Sequence, residues 1–221
     1  MKRALILGAS GGIGSALASA LAARGVAVTG LSRSTNGLDV TDETSVAQHL
    51  GTLEGPYDLI VVATGALEVA GAEPEKSLRA LTAQAMINQF ALNAVGPALV
   101  LKHAARLIAR DTPSVIAVLS ARVGSIGDNA LGGWISYRSA KAAVNQVVRT
   151  AAIEYARTHR QLVCVALHPG TVQTKFTEKY LGRHPAVPPQ DAARNLLAVI
   201  DGLTPADTGC FFDWAGKPVP W

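Results

Sequence analysis

Seven residues near the start of this 221-residue chain, Gly8-Ala9-Ser10-Gly11-Gly12-Ile13-Gly14, constrain its fold more than any other feature. They follow the apolar run 4–7, which suits a strand buried on both faces, and they open a helical pattern over 13–23. In such a loop Gly8 permits a tight turn and Gly12 lets the backbone approach a pyrophosphate. Gly14 lets the helix pack close to the sheet, and the helix N-terminus supplies donors and a positive dipole end. Ser10, Gly11 and Ile13 complete the loop. Alone the motif is weak; between a strand and a helix it reads as a dinucleotide-binding turn.

Further apolar runs at 26–31, 59–63, 115–119 and 162–167, with a short one at 209–213, alternate with helical patterns. Those patterns span 76–110, 136–158 and 190–201. The alternation predicts a doubly wound, Rossmann-like parallel sheet in a three-layer α/β/α arrangement, with residues 1–221 as a single domain. One crossover is short. Only residues 32–37 separate the second strand from Leu38-Asp39-Val40, where a parallel connection usually takes about a dozen. No helix is expected there, so either 38–40 are a vestigial third strand or they wrap the sheet edge. Thr41 or Asp42 then caps a helix, and 185–189 reads as a loop.

Composition narrows the function classes. Charged residues are 16% of the chain against a usual value of about 25%, and mean hydropathy is +0.25, which excludes intrinsic disorder. Lys and Arg number 20 against 16 Asp and Glu. That small excess is scattered, so it argues against a nucleic-acid partner and suits a mildly positive cleft for a phosphorylated small molecule. Cys164 and Cys210, both in apolar surroundings, make neither a disulfide framework nor a zinc site. No other spacing fits a metal, no apolar run reaches about 18 residues, and no leader pattern opens the chain. A cytoplasmic protein without a membrane or metal partner is expected.

The end of the second strand reports on the cofactor's ribose. Where an NAD site usually carries Asp or Glu, this chain has Leu31-Ser32-Arg33-Ser34. The planar fork of Arg33 can pair with a 2′-phosphate, assisted by Ser32, so NADP is expected over NAD. Farther on, Tyr137 and Lys141 stand four apart near a helix start and share a face. A tyrosine, with a pKa near 10, transfers protons poorly at neutral pH unless a neighbouring charge favours the phenolate; an ammonium one turn away could do so.

Gly8-x-x-x-Gly12-x-Gly14, Asn93 in Leu92-Asn93-Ala94-Val95-Gly96-Pro97, Tyr137-x-x-x-Lys141 and Pro169-Gly170-x-Val172-x-Thr174 occur in that order. The series resembles the short-chain dehydrogenase/reductases over nearly the whole chain. Residues 120–126, 132–138 and the ending from Phe212 to Trp221 are similar to the C-factor/sniffer-type, carbonyl-reductase-like branch. The resemblance implies Tyr137 as general acid/base and Lys141 as the group that lowers its pKa and holds the nicotinamide ribose. It implies that Asn93 positions a relay water, that Asp39 and Val40 flank the adenine, and that Val172 and Thr174 hold the carboxamide. Pro169 and Gly170 complete that end of the cofactor site. The reaction implied is hydride transfer between NADP(H) and a small or medium carbonyl or alcohol compound; a cofactor-binding signalling or scaffold protein is the alternative.

The chain departs from the family pattern in three places. The usual Asn-Asn-Ala-Gly reads Val62-Ala63-Thr64-Gly65, so Ala63 and Gly65 alone remain to line the cofactor. The helix after the second strand is missing. Where the family often has two adjacent serines, the chain has Ser120-Ala121, so Ser120 is taken as the substrate-polarising hydroxyl with Ser125 its rival. His168, without a paired nucleophile, reads as structural or pocket-lining, and His49, His103 and His159 as surface residues. The segment 174–189, with Phe176, Tyr180, Leu181 and His184, is the expected lid. Apolar residues at Val95, Leu99, Val100, Leu101, Leu107, Val144, Val147 and Val148 exceed what one helix face can bury, so a homodimer or homotetramer is expected.

Overall fold

The strand that precedes the glycine turn, β1 (Arg3–Leu7), buries Ala4, Leu5, Ile6 and Leu7 completely, as a strand covered on both faces must. The computed structural model describes residues 1–174, 177–180 and 185–221. Five more strands pair in parallel with β1 in one sheet: β2 (Ala27–Leu31), β3 (Leu59–Val62), β4 (Ser114–Leu119), β5 (Leu162–His168) and β6 (Phe211–Asp213). Their order is β2-β1-β3-β4-β5-β6. The sheet reverses direction of growth at β1/β3, and such a switch point opens a crevice at the carboxyl ends of the strands.

Alternation along the strands feeds two cores. Ala4, Ile6, Val61 and Val165 face α1 (Gly12–Ala23) and α7 (Pro189–Gly202), meeting Leu17, Leu21, Leu196 and Ile200. Leu5, Leu7, Val62 and Cys164 face the other way, toward α3 (Glu43–Gly51), α5 (Gly96–Ala104) and α6 (Ile135–Tyr155), meeting Val46, Leu50, Val100, Val144 and Val148. The expected layers are all present.

Several boundaries differ from expectation. The short crossover does hold a helix, the single turn α2 (Arg33–Asn36), capped by the Ser32 hydroxyl and closed by Gly37 at φ 77°. Residues 38–40 are not a strand; Leu38 and Val40 are buried against the core and wrap the sheet edge. Asp42 rather than Thr41 caps α3, accepting from Thr44 N–H at 2.9 Å. The helical region expected from residue 76 starts as a 3₁₀ turn at Leu78–Ala80, and α4 (Ala83–Phe90) begins only after the Thr82 cap. A π turn, Ala91–Val95, then joins α4 to α5. Pro97 accounts for it: proline donates no N–H and crowds the carbonyl one turn back, that of Asn93. Pro189 is not in a loop but in the first turn of α7, where a missing N–H costs nothing.

His159 is buried at 7% exposure against the Tyr155 ring, not on the surface. His49 and His103 are half-buried, the former tied to the Asn36 and Ser45 carbonyls at 2.8 Å each. Most of the apolar excess assigned to a subunit contact is buried within the chain: Val100, Leu101, Leu107, Val144 and Val148 all lie in the core. Val95 stays exposed, and Leu99 and Val147 are partly covered. Among the described residues no helix is long and apolar enough to cross a membrane.

Candidate active site

The glycine turn hangs from the end of β2 by two bonds, from Gly8 and Ala9 N–H to the Leu31 carbonyl at 2.8 and 3.1 Å. Gly8 takes φ +89°, and a side chain there would meet the Ala63 carbonyl at 2.7 Å. A Cβ on Gly14 would sit 2.2 Å from the Gly8 carbonyl, so Gly14 lets α1 start tight against the turn rather than against the sheet. Gly11, the N-cap of α1, brings no side-chain acceptor, and the first turn holds no acid. The opening N–H groups of this twelve-residue helix are therefore left for an external anion.

Gly11, Gly12, Ile13 and Gly14 line one wall of a cavity of about 180 Å³. Its floor is the carboxyl ends of the central strands, where Ala63, Thr64, Gly65, Leu119 and Ser120 stand. Pro169, Gly170, Val172 and Thr174 close the third side, and Tyr137 and Lys141 reach in from α6. Residues from Gly11 to Thr174 are thus brought together around one cavity. A larger depression of about 440 Å³ lies between α7 and the 214–216 turn, and neither the glycine turn nor Tyr137 and Lys141 line it.

The residues expected at the adenosine end do not line this cavity. Ser10 and Arg33 are exposed, and Arg33 opens α2 just past the end of β2. Ser32 is buried, and its hydroxyl accepts from Thr35 N–H as the α2 cap, so it faces into the turn. Asp39 holds Thr41 through both the backbone and the hydroxyl, at 2.9 and 2.7 Å. Val40 packs on Gly96, where an added Cβ would meet its Cγ2 at 2.9 Å.

Asn93 sits behind Gly65, in the π turn, fully buried. Its amide accepts from Ala66 N–H at 3.2 Å, donates to the Ala66 carbonyl at 2.9 Å, and donates to Gln89 at 2.7 Å. Asn93 thereby pins the segment after β3. A Cβ on Gly65 would lie 2.7 Å from Asn93 Oδ1 and 3.4 Å from Lys141 Nζ, so only glycine fits between them.

Tyr137 and Lys141 occupy the first turns of α6, with Nζ 5.8 Å from the phenol ring centre. Both are buried. Burial pushes the Tyr137 phenol well above its usual value and lowers the Lys141 ammonium to about 8. Lys141 Nζ donates to the Leu119 carbonyl at 3.1 Å, which fixes it across the end of β4. The protein's own groups favour the neutral phenol rather than the phenolate. That is the form able to give a proton.

Ser120 continues the ladder past β4, its N–H on the Leu167 carbonyl at 2.8 Å. Its hydroxyl donates to Asn145 Oδ1 at 2.6 Å, while Asn145 Nδ2 donates to the Gly124 carbonyl at 3.3 Å. The Gly124 carbonyl accepts only, which fixes the orientation of the amide. Ser120 can offer its proton to a ligand only by releasing Asn145. Ser125 accepts from Asp128 N–H at 3.1 Å and does not line the cavity. His168 does line it, with Nδ1 buried and without a hydrogen-bond partner, and burial lowers its pKa to about 4. A neutral imidazole follows.

Sequence reasoning missed three buried polar residues that support the site: Gln89, Asn145 and Glu75. Asn145 was readable as a polar residue one turn beyond Lys141 on the same helix face. Glu75 carried no sequence signal, because its partners lie 61 positions away. The lid residues Phe176, Leu181 and His184 lie outside the described residues, and so does the side chain of Tyr180.

A parallel sheet with its switch point over a glycine turn, facing a buried Tyr–Lys pair, defines a nicotinamide-dinucleotide oxidoreductase site. The profile of the short chain dehydrogenase family matches residues 37–183. A 1-hydroxy-2-glutathionyl-2-methyl-3-butene dehydrogenase of Rhodococcus sp. is 30% identical over 185 residues, 84% of this chain and 79% of that protein. The C-signal protein of Myxococcus xanthus is 37% identical over 136 residues, 62% of this chain and 78% of that protein. In fold, the chain is similar to the NADPH-bound carbonyl reductase of chicken fatty liver, with a TM-score of 0.82 at 23% identity over 100% of this chain and 99% of that one. It matches the carbonyl reductase Sniffer of D. melanogaster equally, at 0.82 and 18% identity, with both chains covered in full. The chain belongs to the short-chain dehydrogenase/reductase family and is an NAD(P)-dependent enzyme of that family.

Proposed function

We propose that the enzyme is an NADP(H)-dependent reductase of small or medium carbonyl compounds, with Tyr137 as proton donor. The observation that carries this reading is the buried, neutral Tyr137 facing the cavity that the glycine turn borders. Bound at the strand ends, the nicotinamide supplies the hydride. Gly12, Ile13 and Gly14 would offer N–H groups to its pyrophosphate, and Val172 and Thr174 would hold its carboxamide. Ser120 turns its hydroxyl from Asn145 to the substrate oxygen, stabilising the charge that gathers there. Tyr137 gives its proton to that oxygen. Lys141, held by the Leu119 carbonyl, offsets the negative charge left on the phenol.

The choice of NADP rests on Arg33, which opens α2 in solvent, and whose charge helps hold the Asp39 carboxyl below its usual value. Arg33→Ala is expected to weaken NADPH binding by about tenfold or more, a charge-assisted bidentate contact being worth roughly 1.5–3 kcal/mol. NADH binding should change little. Calorimetric titration of both cofactors checks this; equal losses, or a native preference for NADH, would contradict it.

A homo-oligomer formed through the α4–α6 side remains part of the proposal, on fewer exposed apolar residues than the sequence implied. Ile87, Val95 and Ile153 are exposed there at 60%, 47% and 53%. Light scattering at micromolar concentration should return a multiple of the 22.9 kDa chain mass, and a monomer mass would refute it.

A second reading keeps the cofactor but not the turnover. The relative named C-signal and the engagement of Ser120 with Asn145 both favour a signalling protein that binds NADP(H). Turnover separates the two.

A further inference from the structure

Helix α6 begins abnormally. Gly132 and Gly133 take φ +64° and +66°, and Trp134, the N-cap residue, takes φ +52° and caps nothing with its side chain. The first turn therefore lacks the hydroxyl or carboxylate that a helix start usually draws from its own N-cap. The missing acceptor arrives from the segment that follows β3. Glu75, 5% exposed, accepts from Ser136 N–H at 3.1 Å and from the Ser136 hydroxyl, while its own carbonyl accepts from Trp134 N–H at 2.5 Å. Burial opposes the charge on this carboxylate. The Ser136 hydroxyl and backbone hydrogen bonds outweigh it and hold the pKa below the usual value.

Two neighbours of Tyr137 are tied to this one residue. Ser136 is its immediate neighbour in the first turn, and the Trp134 ring packs edge-to-face on the phenol, centres 6.4 Å apart. We propose that Glu75 is a positioning residue for Tyr137: as the external cap of α6 it fixes the first turn and the Trp134 wall, and so sets where the phenol oxygen stands. The proposal rests on the reductase reading above. It adds that part of the catalytic geometry is supplied by the segment between β3 and α4. That same segment also carries Glu68 and Glu73, which pair with Lys179 at 2.9 and 3.2 Å.

The test uses Glu75→Met, which keeps the bulk and removes the acceptor, beside Glu75→Gln, whose amide oxygen can still accept from Ser136. NADPH rests on the glycine turn and the strand ends, so its affinity should stay within about twofold of native in both. With Met, kcat should fall about 10- to 100-fold, the scale of a displacement of order 1 Å at a reacting group, while KM changes little. Gln should recover most of kcat. Ser136→Ala, which removes one donor and little volume, should lose part of kcat, and its effect should not add to that of Met. This variant carries the test should Glu75→Met fail to fold by circular dichroism. Unchanged kcat in Met and in Ser136→Ala, equal losses in Gln and Met, or a parallel loss of NADPH affinity would overturn the proposal. Absence of turnover in the native enzyme would instead overturn the reductase reading on which it rests.

Discussion

Tyr137→Phe is expected to lower turnover by about 10²–10⁴-fold, the usual contribution of a positioned acid or base, and to leave NADPH affinity near native. The substitution removes one oxygen. The ring remains to pack against Trp134, and the turn 8–14, proposed to take the cofactor's pyrophosphate, is a different wall of the cavity. Because burial keeps the phenol protonated far above neutral pH, the reductive direction needs no prior ionisation. Oxidation of an alcohol needs the phenolate, so it should gain with rising pH. The ammonium of Lys141 titrates at about 8, so above that pH the charge that receives the phenolate disappears and reductive kcat should decline. Stopped-flow turnover over pH 6–10 checks both statements; a retained rate above about a tenth of native in Tyr137→Phe would contradict the assignment.

Lys141→Met should separate activity from stability in opposite directions. The ammonium of Lys141 is depressed from 10.5 to about 8 by burial, so the unfolded chain binds a proton more readily than the folded one. Stability then rises with pH between those values, and below about 8 the full cost of burying the charge is present, about 3 kcal/mol. The Leu119 hydrogen bond offsets about 1 kcal/mol of the gain on removing the lysine. Lys141→Met, close in length and uncharged, should therefore stabilise the ligand-free protein by about 2 kcal/mol at pH 7. It should also abolish most turnover and weaken cofactor binding. Urea unfolding of both proteins at pH 7 measures the first effect. A less stable variant would mean that the lysine is compensated in the fold by more than one carbonyl.

What the sequence disclosed follows from how local its signals are. Strands β1, β3, β4 and β5 are built on apolar runs, broken only by Arg3, Ser114 and His168 at their ends, as strands buried on both faces require. The glycine turn and the Tyr–Lys pair are short-range patterns, and both fell where expected. The π turn around Asn93 was hidden because the effect of Pro97 on a helix depends on whether neighbours absorb the lost bond. α2 was hidden because a single turn leaves no periodicity to read. The burial of His159 comes with packing against Tyr155, four residues back, which composition cannot show. Glu75 was hidden for a related reason: a buried polar residue is revealed by its partner, and partners distant in sequence cannot be paired from one chain.

The most direct test of the whole account follows the hydride and the proton together. NADPH carrying deuterium at the transferring position of its nicotinamide is mixed with native enzyme and a panel of aromatic aldehydes and diketones, and the products are read by NMR. The account predicts an alcohol with deuterium on the former carbonyl carbon, formed at least about 100-fold more slowly by Tyr137→Phe at equal NADPH occupancy. Bound NADPH with no deuterated alcohol from any member of the panel, or equal rates in the two proteins, would contradict it.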